Sequence, residues 1–107
     1  MKRGDLYRVR RPPDDPKPAR TFVVVARAAL VASRFPRLVC APVHSLRHGI
    51  DTEVAVGIGE GLLHDSAVRC DELYSLQRSV LTDFVGALSP SKMVLLDRAL
   101  KAALDLS

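Results

Sequence analysis

The sequence has no tryptophan and only five aromatic side chains, three Phe and two Tyr, in 107 residues. Val, Leu and Ala must therefore fill any hydrophobic core. No apolar run approaches the roughly 20 residues that span a bilayer, so we expect no membrane segment. The opening residues MKRGDLY are charged and unlike a secretory signal, which leads us to expect a cytoplasmic protein. The length predicts one domain, residues 1–107.

Cysteine is also scarce, with Cys40 and Cys70 each inside an apolar segment. This setting is typical of reduced, buried thiols that pack as small hydrophobes. A single disulfide is the alternative, but no extracellular signal supports it. A zinc site would need two more ligands at suitable spacing, so we predict neither a metal nor another cofactor.

Acidic residues are few in the first half of the chain. Residues 1–48 contain eleven Lys/Arg and three Asp/Glu, whereas residues 49–107 contain five and nine, and the whole chain has a net charge of +4. Such asymmetry indicates one basic face and hence a polyanion or an acidic peptide as partner, although a merely solvated basic surface gives the same pattern.

Short β-branched segments dominate the chain and predict a mainly β fold. Residues 21–26 (TFVVVA) predict a central strand buried on both faces, and Pro42 predicts a bulge or an edge position in the strand at 38–43. Residues 10–20, rich in proline, predict an extended loop, and residues 27–35 predict one or two helical turns. Further strands are predicted at 6–9, 52–57, 67–70, 73–76 and 81–88, with loops at 46–51 and 57–66.

The C-terminal segment has the pattern of an amphipathic helix. Ser89 is a favourable N-cap and Pro90 suits the first helical position. One apolar stripe follows at helical spacing: Met93, Leu96, Leu100, Ala103 and Leu104. A helix of this kind packs on a sheet or on a second subunit. The elements together predict a small, curled antiparallel sheet, a partly open barrel with a C-terminal helix.

An ordered set of segments resembles the MazF/PemK (Kid) toxins of bacterial toxin–antitoxin pairs over nearly the whole chain. The segments are RGDLYRV, Arg20 before TFVVVAR, VCAPVHS, TEV, DSAVRCDEL, LTDFVG and the closing amphipathic helix. The resemblance implies an SH3-like antiparallel barrel similar to the gyrase poison CcdB, assembled as a homodimer. It also implies a metal-independent, sequence-selective endoribonuclease that cuts single-stranded RNA through a 2′,3′-cyclic phosphate. The implied partner is an antitoxin with an acidic, disordered tail.

The resemblance places the family's catalytic arginine at Arg20 and its catalytic threonine at His44, followed by Ser45. This chain has Arg20-Thr21 where the family usually has Arg-Pro. It has DDPKPA where the first loop usually reads Gly-Ser-Glu-Gln. The departures bear on cleavage specificity and on catalysis, while the fold expectation is unaffected.

The residue types at these positions suit phosphodiester chemistry. Cleavage by the ribose 2′-hydroxyl needs a base, an acid and stabilisation of negative charge on phosphorus. Arg20 offers a permanently charged, planar fork that matches phosphate, and a histidine at position 44 can exchange a proton at neutral pH. Ser45 either binds a phosphate oxygen or caps a turn. We predict pH-dependent cleavage, although a histidine in this place is also compatible with a purely structural role.

Further residues are candidates for RNA binding. Basic side chains suited to phosphate contacts are Arg10, Arg11, Lys17, Arg47 and His48. Asp71 and Glu72 match an acidic or amide position of the family and either read a base edge or remain solvated. Two other functions stay open: a non-catalytic CcdB-like or RNA-binding barrel that acts by binding a protein or RNA target, and a structural barrel that binds no nucleic acid.

Overall fold

The structure is a computed structural model that describes residues 1–10 and 19–107. In these residues seven β-strands and two α-helices follow one another along the chain. The strands are β1 (Asp5–Val9), β2 (Arg20–Val24), β3 (Arg37–His44), β4 (Glu53–Val56), β5 (Ser66–Arg69), β6 (Tyr74–Gln77) and β7 (Asp83–Ala87). The helices are α1 (Ala28–Ala32) and α2 (Pro90–Ala103). The predicted loop at 10–20 lies mostly outside the described residues.

The strands form one antiparallel sheet in the order β4-β5-β3-β2-β1-β7, and β6 pairs with β3. The sheet curls into a half-barrel with α2 at the C-terminus, so the predicted fold class is confirmed. β2 lies between β1 and β3, and its side chains alternate between two cores. Val23 belongs to the core beneath α2, and Phe22 and Val24 to the core beside α1. The prediction that this strand is buried on both faces is therefore confirmed.

Pro42 does not lie on an edge strand, so the edge position, one of the two alternatives expected for it, was wrong. β3 is central and pairs with β2 on one side. On the other side it pairs with β6 as far as Cys40 and with β5 from Val43 onwards. Pro42 falls where the partner changes from one short strand to the next. A residue without a backbone N–H is tolerated inside a strand where the ladder is interrupted in this way.

The C-terminal helix begins as predicted. Ser89 is the N-cap, and its hydroxyl accepts a hydrogen bond from the backbone N–H of Lys92. Leu96 and Ala99 are buried against the sheet. Leu104 was expected in the apolar stripe, but the helix ends at Ala103 and Leu104 is 53% exposed. Leu100 and Ala103 still pack against the core, so the stripe ends at Ala103, one residue earlier than its spacing indicates.

The two cysteines are free, buried thiols, as predicted. Desolvation raises the pKa of Cys40 to about 12 and that of Cys70 to about 11. The thiolate is the reactive form of cysteine, and here it is strongly disfavoured at neutral pH. Neither cysteine is therefore suited to act as a nucleophile, and both serve as packing residues of the core.

Candidate functional site

A cleft of about 480 Å³ opens where β2 and β3 meet the loop at residues 57–66, here called the glycine loop. Side chains from β1, β2, β3, β7 and the glycine loop line it. Its described lining is Arg8, Ala19, Arg20, Thr21, Val43, His44, Ser45, Gly61, Leu62, Leu63, His64, Ser66 and Val85. Three residues predicted for catalysis, Arg20, His44 and Ser45, therefore lie in one cavity.

Strand register brings Arg20 and His44 together although they are 24 residues apart in sequence. Phe22 of β2 is paired with Pro42 of β3, and directly paired residues of antiparallel strands point to the same face. Arg20 and His44 each lie two residues from that pair, on the same face at the same end. Nη2 of Arg20 is 2.9 Å from Nε2 of His44.

Two aromatic rings position the guanidinium of Arg20. Its central carbon lies 5.9 Å from the ring centre of Phe22 and 5.7 Å from that of Tyr74. Nη1 donates a hydrogen bond to the Tyr74 hydroxyl at 3.2 Å. The two rings are themselves packed edge to face. The contacts hold the fork of Arg20 in one orientation by side-chain interactions.

Glu72, in the turn before β6, contacts His44 as well. Arg20, His44 and Glu72 are here called the cluster. Its Oε2 lies 2.7 Å from Nε2 of His44, and the two side chains are 41% and 29% exposed. Glu72 was predicted as an RNA-binding residue, but its described contact is with the histidine. A cation and a carboxylate therefore both lie within hydrogen-bond distance of one imidazole nitrogen.

Sequence reasoning missed three residues at this site: Tyr74, Arg8 and His64. Tyr74 contacts Arg20, and Arg8 and His64 line the cleft. His64 is distant from His44 in the sequence and follows three glycines, so no local pattern marks it. Tyr74 is the first residue of a short strand, and nothing in the neighbouring sequence marks it as a site residue. Only the pairing of β6 with β3, where Tyr74 lies opposite Cys40, reveals its role.

The glycine loop that carries His64 is fixed to the rest of the fold by Glu60. This buried carboxylate accepts hydrogen bonds from the backbone N–H of Gly57 at 2.9 Å and from Nζ of Lys92 at 3.0 Å. Gly61 has φ +91°, and a Cβ there would clash with the carbonyl oxygen of Val85. The close approach requires glycine and sets this wall of the cleft against β7.

Arg47 and His48 occupy a different position from the cluster. Arg47 donates from Nε to the carbonyl of Ser66 and from Nη2 to that of Val56. These bonds join the loop after β3 to β4 and β5. His48 is exposed, and its backbone N–H donates to Glu53. Arg47 is therefore hydrogen-bonded to backbone carbonyls next to the cleft.

Asp71 turns away from its neighbour Glu72 and pairs with Arg69. The two side chains form two hydrogen bonds, at 3.1 and 3.2 Å. The hydrogen bond from Arg69 lowers the pKa of Asp71, because it stabilises the ionised carboxylate. Of the two predicted acidic residues, only Glu72 therefore contacts the cluster.

The remaining basic candidates fall at the first loop. Arg10 is largely exposed, and its Nε lies 2.8 Å from the carboxylate of Asp83. Arg11 and Lys17 lie outside the described residues. Within residues 1–10 and 19–107, no three His, Cys, Asp or Glu side chains are grouped to hold a metal ion. No helix in that part of the chain is long and apolar enough to cross a membrane.

The curled sheet, the helix and the Arg–His cleft define a small barrel protein with a site suited to an anionic ligand. The family described as PemK-like, MazF-like toxins of type II toxin–antitoxin systems matches residues 2–104. The chain belongs to this family of toxins. No curated protein sequence matches it.

Solved structures agree with this assignment. An endoribonuclease in complex with its cognate antitoxin, from a mycobacterial species, is 27% identical with a TM-score of 0.84. The match covers 100% of this chain and 97% of that one. The Mycobacterium tuberculosis toxin MazF-mt6 is 25% identical with a TM-score of 0.82, covering 96% and 98% of the two chains. A MazE–MazF structure from Deinococcus radiodurans shares the fold at 20% identity, with a TM-score of 0.79 and coverage of 100% and 98%.

Proposed function

We propose that this toxin is a metal-independent, sequence-selective endoribonuclease that cuts single-stranded RNA and leaves a 2′,3′-cyclic phosphate. The observation that carries the proposal is the 2.9 Å approach of Arg20 to His44 inside the cleft. Two solved relatives from mycobacterial species, each 27% identical, are described as endoribonucleases. A pure binder has no need for an arginine and an imidazole in contact at a sheet end.

The proposed reaction divides into charge stabilisation and two proton transfers. The 2′-oxygen attacks phosphorus, forming one P–O bond as the bond to the 5′-oxygen breaks. Arg20 donates hydrogen bonds to the phosphate oxygens as their negative charge increases. His44 takes the proton of the 2′-hydroxyl. We assign the proton for the leaving 5′-oxygen to His64, a second imidazole of the same cleft, and water restores both histidines afterwards.

RNA binding is assigned to the basic residues around the cleft. Arg8 lines it, and Arg10 is exposed at the end of β1. Phosphate contacts of this kind give affinity without reading sequence. Ser45, in the cleft lining, is assigned a hydrogen bond to a phosphate oxygen. Arg47 is assigned to supporting the cleft wall, since its described bonds are to backbone carbonyls.

The expected protein partner is a cognate antitoxin that lays an acidic, disordered tail along the basic groove and excludes RNA. An antitoxin accompanies the mycobacterial relative. RNA as substrate would place the toxin's action in the cytoplasm.

A homodimer is also proposed. The apolar strand segment at 39–43 and α2 are the two candidate interfaces. Cys40, Ala41 and Pro42 are buried within the monomer, so the exposed side of α2 is the better one.

Incubation of the purified toxin with a long single-stranded RNA in EDTA tests the proposal. Discrete cuts that stop when the cognate antitoxin is added in excess would support it. Intact RNA would reject the nuclease proposal and support a function in binding alone. The presence of His44 where the family has threonine is the observation that supports this alternative. The salt dependence of RNA affinity then separates the alternatives: a steep fall with salt indicates phosphate contacts, and no dependence indicates a barrel that does not bind nucleic acid.

A further inference from the structure

Nε2 of His44 has two neighbours that make opposite demands on it. Nη2 of Arg20 lies 2.9 Å away and Oε2 of Glu72 lies 2.7 Å away. An arginine nitrogen only donates hydrogen bonds, and an ionised carboxylate only accepts them. Nε2 can be either a donor or an acceptor in a given tautomer, so it satisfies one of these neighbours at a time.

Three features favour the tautomer with the proton on Nε2. The contact to Glu72 is the shorter of the two, and a donor to an ionised carboxylate forms a short, charge-assisted bond. With a bare Nε2, two lone-pair-bearing atoms would face each other at 2.7 Å. Arg20 also keeps a hydrogen bond through its other terminal nitrogen, Nη1, to the Tyr74 hydroxyl, so its position does not depend on His44 as an acceptor. Within the part of the chain that the structure describes, the charged and titratable groups that contact this end of the imidazole or its partners are Arg20 of β2, Glu72 in the turn before β6, and Tyr74 of β6.

We propose that Glu72 is a positioning residue that holds the proton of neutral His44 on Nε2 and so leaves Nδ1 as the base. This inference rests on the proposed function, in which His44 takes the 2′-hydroxyl proton. That proton moves to Nδ1 and gives an imidazolium, whose Nε2–H remains bonded to the carboxylate of Glu72. A base oriented by a third group is the general arrangement of an activated catalytic side chain.

The same proton placement frees Arg20 for the substrate. When Nε2 is a donor, Nη2 of Arg20 has no acceptor on the imidazole. A phosphate oxygen in the cleft can take that hydrogen bond, while Nη1 remains on Tyr74. Glu72 thus separates the two tasks: Arg20 binds the phosphate and His44 moves the proton.

Nitrogen NMR of the imidazole rings tests the proton placement in the free toxin. The chain has three histidines, so His48→Gln and His64→Gln variants assign the signals. At about pH 9 we expect His44 to carry its proton on Nε2, since the hydrogen bond to Glu72 selects that tautomer. In Glu72→Ala the proton should move to Nδ1, because Nε2 then accepts from Arg20. A wild-type proton on Nδ1, or no change in Glu72→Ala, would overturn the inference.

Cleavage kinetics test the catalytic consequence. We expect Glu72→Ala to lower kcat about 10²-fold, within the range of general acid–base effects, with little change in KM. Glu72→Gln should retain more activity, because its amide oxygen still accepts from Nε2–H. Asp97→Asn is the matched control: it removes a carboxylate of α2 that pairs with Arg3, and neither residue lines the cleft.

The outcomes separate this inference from the proposed function. Cleavage of RNA by Glu72→Ala at the wild-type rate and with the wild-type pH profile would reject the positioning role and leave the nuclease assignment intact. Intact RNA with the wild-type protein, whatever the NMR shows, would reject the nuclease function and with it the role of Nδ1. A fall in kcat for Glu72→Ala and Asp97→Asn alike would also reject a specific role for Glu72.

Discussion

Two arginines of this toxin, one in the cleft and one beneath α1, use the same side chain for different ends. Arg78 donates from Nε, Nη1 and Nη2 to the backbone carbonyls of Phe35, Val31 and Leu30, at 3.0 to 3.1 Å. Arg20 contacts side chains instead, the Tyr74 hydroxyl and the His44 imidazole, above two aromatic rings.

The two arginines differ in the kind of group that accepts their hydrogen bonds. The acceptors of Arg78 are backbone carbonyls in α1 and just after it. By satisfying them, Arg78 stabilises a short helix that has no side-chain N-cap hydrogen bond. The partners of Arg20 are side chains, and under the proposed function a phosphate oxygen takes the hydrogen bond of Nη2 while Nη1 stays on Tyr74. Charge alone does not separate the two arginines, whereas the identity of their acceptors does.

The largest expected effect concerns the imidazole beside Arg20. His44→Ala should lower kcat by about 10²–10⁴-fold, the usual contribution of general acid–base catalysis. The pH–rate profile should lose the limb that depends on the proposed base, while the limb that depends on the proposed acid His64 remains. Single-turnover cleavage between pH 5 and 9 measures both quantities. Full activity with an unchanged profile would remove His44 from the mechanism.

The arginine of the cleft should show the next largest effect. Arg20→Met keeps an unbranched apolar stem but removes the guanidinium donors, and kcat should fall about 10²–10³-fold, as when one donor to a developing oxyanion is lost. The free energy of unfolding should change by less than about 1 kcal/mol, the scale of an exposed cation–π contact. Urea titration with parallel cleavage assays measures the two. A large loss of stability would place Arg20 with Arg78 as a structural residue.

Arg78→Met is the matched variant on the other side of the comparison. It should lower the free energy of unfolding by about 1.5–3 kcal/mol, the range for hydrogen bonds to a charged group. The melting temperature should fall by about 4–8 °C per kcal/mol in a domain of this size. The cleavage rate of the folded fraction should be unchanged. A Tm equal to that of wild type would contradict the structural role.

The smallest effect is expected at Asp71, next to Glu72 in the sequence. The pKa of Asp71 is lowered by its hydrogen bond from Arg69, so its stabilising contribution is present above the unfolded-state pKa. It is lost as the pH falls below about 4. Asp71→Asn should therefore be slightly less stable than wild type at pH 7 and equally stable near pH 2. A stability difference that persists at the lowest pH would contradict this pairing.

Local patterns predicted the fold better than the site. β2 and the start of α2 follow from a β-branched run and from Ser89-Pro90, because these signals act over a few neighbouring residues. The edge position expected for Pro42 was wrong, because a proline is tolerated in β3 at the point where its partner changes from β6 to β5. The pairing of His44 with Glu72, and the presence of His64 in the cleft, depend on contacts between distant segments. No periodicity within a segment records such contacts.

The most direct measurement of the central claim is an analysis of the RNA ends produced in EDTA by wild type, Arg20→Met and Arg78→Met. The account predicts fragments with a 2′,3′-cyclic phosphate and a 5′-hydroxyl from the wild type and from Arg78→Met, and almost none from Arg20→Met. Fragments with 3′-hydroxyl and 5′-phosphate ends, or equal cleavage by all three proteins, would contradict it.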